Sequence, residues 1–141
     1  MMSPSTEELA LQEPTPPEEL RFVAPILGFE HLSRFVLVQL DPDSPLFSLR
    51  SLEDADVRLL VLATEVAFED YSPTFDAVAR AAVGLGADAT GLVMAVVTPG
   101  ASLAESTVNL LAPILLNPAT GAAAQVVLTG SEFPVRLPLA A

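Results

Sequence analysis

The sequence predicts an all-β, mainly antiparallel fold: a small β-barrel-like single domain with one short helix near residues 74–84. Three observations predict it. From Arg21 onward the apolar runs are short, and each is closed by a Pro, Gly or Asp cluster at the spacing of a barrel or sandwich. Hydrophobic residues make up 51% of the 141 positions and charged ones 17%, too apolar for an acidic disordered chain and enough for one packed core. Cysteine is absent, so disulfides, zinc thiolates and thiol catalysis are excluded together, as fits a reducing compartment.

Residues 1–19 hold five Glu, four Pro and no aromatic, which predicts a flexible acidic tail ahead of a domain over 20–141. Strands are expected over 34–40, 46–52, 57–63, 92–98, 106–111, 113–117 and 125–129, with a last edge at 133–137. Pro113 and Pro134 then belong at strand starts, bulges or edges, because proline cannot donate to a ladder. The Ala-rich stretch ending at Gly84 carries apolar residues at Phe75, Val78, Ala79, Ala82 and Val83. It predicts the helix, with Thr74 as N-cap and Asp76 in the first turn. Residues 119–124 read as a small-residue loop, and Phe29, Phe35, Phe47 and Val127 as core.

The formal net charge is -12, with six Arg and no Lys, so a nucleic-acid backbone would be repelled over most of the surface. No direct nucleic-acid partner is expected. Residues 1–89 carry net -11 and residues 90–141 net -1, which places the second half in the interior or on neutral surface. The N-terminus lacks the basic and apolar regions of a signal peptide. The uncharged span between Glu105 and Glu132 is broken by Asn109, Pro113, Asn117, Pro118 and Gly121. The expectation is a cytoplasmic protein with no membrane contact.

Chemistry-bearing patterns are sparse. The segment from Asp41 begins like a calcium loop but has Pro45 and Leu46 where an acceptor and a glycine are needed. The Glu53, Asp54 and Asp56 group reads as a solvated turn, so no metal is expected. His31 is the sole histidine, and no Gly-x-Ser-x-Gly elbow is present. It therefore reads as an exposed loop residue, with no catalytic residue and no cofactor expected. Gly84-Leu-Gly86 lacks the third glycine and the lysine of a phosphate cradle. Asn109 and Asn117, beside proline-containing strands, read as satisfying backbone groups in turns. Two function classes survive: an acidic face that binds a basic protein, and a small β-barrel that binds a small apolar ligand in its interior.

Several segments carry a family resemblance. They are Gly28-Phe29-Glu30, Arg34-Phe35-Val36-Leu37, DSPLFSLRSLEDADVRLLVL over 43–62, TVNLLAPILLN over 107–117 and QVVLTGSEFPVRLPL over 125–139. Together, over roughly residues 20–139, they resemble the FliW family of flagellar assembly factors. Departures lie at 23–27, where the family's Pro-Glu-Gly-Leu-Pro reads Val-Ala-Pro-Ile-Leu, and at Phe133 and Leu137, where Tyr and His are common. The resemblance implies a compact β-barrel-like domain, no enzymatic activity, and a partner switch. It binds flagellin in the cytoplasm and, once flagellin is exported, the translational regulator CsrA, which it antagonises. On family position and charge, the surface expected to meet CsrA is Ser51, Glu53, Asp54 and Asp56, together with Glu69, Asp70 and Tyr71. A monomer is expected when unbound.

Overall fold

The computed structural model describes residues 19–40, 42–68, 70–86 and 89–139. Period-2 alternation of buried and exposed residues builds β1 (Glu19–Ala24), β2 (Arg34–Gln39), β3 (Leu46–Ser51) and β4 (Arg58–Ala63) as successive antiparallel hairpin partners. β5 (Leu92–Thr98) pairs with β4 and, on its other edge, with β6 (Thr107–Val108) and β7 (Ile114–Leu116). β8 (Ala122–Gln125) joins β7 to β1, and β9 (Leu137–Pro138) pairs with β6. The order β4-β3-β2-β1-β8-β7-β5, closed by β4–β5, is a seven-stranded barrel that leaves β6 and β9 as an outer flap. Every pairing is antiparallel except β1–β8.

Inward-facing residues fill the barrel. Leu20 and Phe22 of β1, Phe35 and Leu37 of β2, Leu49, Val61, Met94, Ile114, Leu116 and Ala123 form one buried cluster, with the Phe22 and Phe35 rings edge to face at 5.3 Å. Two further clusters lie outside the barrel wall. One packs Tyr71, Phe68, Phe133, Leu137 and Leu139 over Leu62, Ala95, Val97, Val108 and Leu110. The other packs Val83, Leu85 and Phe75 over Leu115, Ala122 and Ala124.

The all-β expectation holds, and 34–40, 46–52, 57–63, 92–98 and 113–117 match observed strands to within a residue or two. Other details differ. β1 begins at Glu19, inside the segment assigned to the tail; residues 1–18 lie outside the described residues. The small-residue stretch is no loop at 122–124. It is buried strand β8, where Ala123 stands opposite the large Phe22 ring and packing overrides the weak strand preference of alanine. Beyond it, Val126 N–H donates to Pro113 O and Leu128 N–H to Leu111 O, so the expected 125–129 run stays extended only in part. Leu128 is buried whereas Val127 is 49% exposed, so Val127 is not core.

Strand 106–111 shortens to β6. Asn109 Oδ1 accepts from the Leu111 and Ala112 amides and turns the chain out of the ladder. The last edge moves from 133–137 to Leu137–Pro138, with Pro134 serving only as acceptor for Leu110 N–H. Among the described residues two short α-helices stand where a single one was expected. α1 (Thr64–Ala67) follows β4, and its buried Thr64 hydroxyl donates to Val93 O at 3.1 Å. α2 (Ala77–Ala82) is capped by Asp76, not Thr74: Asp76 Oδ1 accepts from Ala79 N at 2.9 Å. Gly84 ends it with φ of 78°, a left-handed conformation that glycine adopts without strain.

Candidate partner-binding surface

The β3–β4 connection is built by its own polar groups. Ser51, the last residue of β3, is buried, and its Oγ accepts from Glu53 N at 3.0 Å and Asp54 N at 2.9 Å. Asp54 Oδ1 then accepts from Asp56 N at 3.0 Å, and Val57 N–H donates to Asp54 O. The result is a turn with a fixed backbone whose Asp54 and Asp56 side chains stand at the barrel rim. Ser51 is buried and supports this turn from beneath.

Glu53 reaches across to the neighbouring connection. Its Oε1 accepts from Ser33 N at 2.7 Å and Arg34 N at 2.9 Å, tying the β3–β4 turn to the start of β2. The Arg34 and Ser33 amides hold the Glu53 carboxyl below the usual carboxylate range against the opposing effect of burial, with a lesser contribution from the Arg34 charge. The same tie brings the 25–33 connection to this rim, and with it Glu30, whose Oε2 accepts from Gly28 N at 2.9 Å. That bond is the first cause of a lowered Glu30 carboxyl. Glu30 extends the acidic rim and was not among the residues expected from sequence. Nothing local marks it, because the two connections meet only through long-range bonds, from the Ser33 and Arg34 amides to Glu53 and from Leu52 N–H to Arg34 O. His31 is exposed in the same connection.

The second expected group lies elsewhere. Glu69 is outside the described residues, and Asp70 is exposed. Tyr71 is half-buried in the outer cluster, its hydroxyl donating to Leu110 O at 2.6 Å and its ring edge to face with Phe133 at 4.9 Å. Burial pushes its phenol up to about 12. The 52–57 turn precedes β4 and residues 70–71 follow it and α1. A six-residue strand rising about 3.3 Å per residue therefore separates the two groups by roughly 20 Å. The structure does not bring them into one patch.

Asn109 and Asn117 serve backbone groups. Besides the Asn109 bonds above, the buried Asn117 donates through Nδ2 to Val83 O at 2.8 Å and accepts at Oδ1 from Ala119 N. Among the described residues no group of three or more His, Cys, Asp or Glu side chains is placed to hold a metal ion, and no helix is long and apolar enough to cross a membrane. A groove of about 390 Å³ opens between residues 72–76 and 126–133, lined by Phe75, Asp76, Val127 and Phe133. It lies outside the barrel, whose interior holds Phe35 and Leu116 at 0% exposure.

Comparison with known proteins gives a consistent picture. A family model described as FliW protein matches residues 4–139, reaching back into the acidic N-terminal segment. A flagellar assembly factor FliW of Syntrophotalea carbinolica is 37% identical over 126 residues, covering 89% of each chain. The flagellar assembly factor FliW of Clostridium beijerinckii is 32% identical over 116 residues, covering 81% of each. That of Bacillus subtilis is 30% identical over 118 residues, covering 84% of this chain and 82% of the relative. In fold, the chain is similar to a crystal structure of the flagellar assembly factor FliW, with a TM-score of 0.76 at 24% identity over 86% of this chain and 85% of that one.

Proposed function

The chain belongs to the FliW family of flagellar assembly factors, and from that premise we propose that it is a non-enzymatic partner switch acting in the cytoplasm. It binds flagellin. When flagellin is exported, the freed chain, a monomer when unbound, binds the basic regulator CsrA and antagonises it, so that flagellin synthesis follows export.

The observation that supports this reading best is the rim of the β3–β4 turn. Its backbone is fixed by Ser51, Glu53 and Asp54, and it holds the Asp54 and Asp56 charges outward on a rigid barrel end. Fixed acidic groups on a chain of net charge -12 raise the encounter rate with a basic protein and disfavour acidic ones. Glu53 contributes the geometry of the rim as well as charge. Asp70 forms a second acidic point at the far end of β4, and Tyr71 and Ser51 support their surroundings. The apolar-ligand reading loses its site, because side chains fill the barrel where a ligand would sit.

The test is association with purified CsrA using a variant that spares the turn. Asp54→Asn keeps the acceptor for Asp56 N–H, and Asp56→Lys reverses an exposed charge. In combination they are expected to slow association about tenfold at low salt and to flatten its salt dependence, the behaviour of a rim charge. Identical association curves for the variant and the parent remove the rim from the CsrA interface. Capture of neither flagellin nor CsrA by the tagged chain in motile cells removes the switch itself.

A further inference from the structure

Four of the six arginines in this acidic chain fall on one outer sheet face. Arg21, Arg34, Arg50 and Arg58 are all exposed, on β1, β2, β3 and β4 respectively. The registers place Arg21 directly opposite Arg34, and Arg50 directly opposite Arg58. Residues directly opposite in an antiparallel pair share a face with Cβ atoms about 5 Å apart, and like charges there are destabilising. Val36, opposite both Glu19 and Arg50, joins the two pairs into a single patch three strand spacings wide, about 15 Å. Among the described residues, one ion pair meets this patch: Arg34 Nη2 to Glu19 Oε2 at 3.2 Å, with Arg34 Nε also donating to the same oxygen.

Two like-charged pairs in a chain of net charge -12 call for an anionic cover, and the chain carries one. Residues 1–18 contain Glu7, Glu8, Glu13 and Glu18 and no Lys or Arg, and they enter the sheet at Glu19, in the same row as Val36, Arg50 and Arg58. Glu19 already binds the patch. Six extended residues span up to about 20 Å, so Glu13 can reach Arg58 from Glu19. Covalent linkage gives the segment an effective concentration in the millimolar range at the patch, enough for contacts that would be too weak between separate molecules.

We propose that the acidic segment 1–18 docks in cis on the arginine face of β1–β4, covering Arg50 and Arg58. The contact is electrostatic, so it weakens with salt, and it keeps this cationic face from acidic partners while leaving the carboxylate rim open.

The absence of cysteine makes the full chain suitable for one spin label. With Gln12→Cys carrying a nitroxide, the amide signals of Val36, Arg50 and Arg58 are expected to weaken several-fold at 0.01 M salt. They should recover at 1 M, as the screening length falls from about 30 Å to about 3 Å. Glu7→Gln, Glu8→Gln and Glu13→Gln together, which alter no strand, should abolish the effect, as should Arg50→Gln with Arg58→Gln. No broadening, broadening confined to residues flanking Glu19, or broadening indifferent to these variants would overturn the proposal. Broadening seen only when labelled and isotope-enriched chains are mixed would assign the face to a second copy and overturn docking in cis.

Discussion

At the rim before β4, the polar groups of the chain bond to backbone, Asp54 among them, and the Asp56 charge is left exposed. In the segment after β4, Tyr71 is drawn inward, its hydroxyl spent on Leu110 O and its ring on Phe133. Both segments read alike in sequence, as short acidic connections beside a family motif. The difference is which face of the barrel wall they cross. The 52–57 turn lies at an open rim, whereas Phe68 and Tyr71 cover the apolar outer faces of Leu62, Ala95 and Val97. An acidic connection over an apolar patch becomes an anchor, and one at a rim stays available for docking.

The largest effect that would break this contrast is at Tyr71. Tyr71→Ala removes the ring from the outer cluster and is expected to destabilise the fold by about 2–3 kcal/mol, below the value for a fully buried aromatic because the side chain is half-buried. Tyr71→Phe, which leaves the Leu110 carbonyl without its donor, should lose about 1–2 kcal/mol. Urea unfolding measures both. A loss under about 0.5 kcal/mol for Tyr71→Ala would make Tyr71 a surface residue and restore it as a docking candidate. Asp54→Asn with Asp56→Lys should instead stay within about 0.5 kcal/mol of the parent while slowing association, the opposite balance of effects.

The sequence also contains a single tyrosine and no tryptophan, so tyrosinate absorbance reports Tyr71 alone. The folded chain should titrate near 12 and the urea-unfolded chain near 10. Because the folded value is raised, this residue's contribution to stability is complete below about pH 10 and is lost as pH rises towards 12; Tyr71→Phe lacks that alkaline loss. A folded-state midpoint near 10 would place the phenol in water.

The hairpins β2–β3 and β3–β4 were legible because alternation and turn residues act within a few positions. β8 was not: Ala122–Ala124 carry no strand signal, and their place follows from the Phe22 ring on a strand a hundred positions away. The shortening of β6 was legible in chemistry but not in length, since Asn109 was identified as a turn residue and the ladder ends where its side chain takes over. For the candidate surface, charge located the acidic turn. The supporting role of Ser51, the inclusion of Glu30 and the separation of Asp70 depend on barrel closure. The arginine face was hidden for the same reason, because its members lie on four different strands and meet only through register.

The finest test of the contrast concerns Glu53, which is exposed like a docking residue yet bonded like an anchor. Glu53→Gln keeps an oxygen for the Ser33 and Arg34 amides but removes the charge that those amides favour. The folded carboxyl lies below its ordinary value, so its contribution is complete above the ordinary carboxylate pKa of about 4.3 and vanishes as pH falls through the lowered folded value. The parent should therefore be slightly more stable than Glu53→Gln in urea at pH 7, and the gap should close towards pH 3. A gap of constant size across that range would mean that the amides bind either oxygen equally and that the Glu53 charge serves only the partner. A closing gap marks Glu53 as the residue that couples the acidic rim to the barrel beneath it.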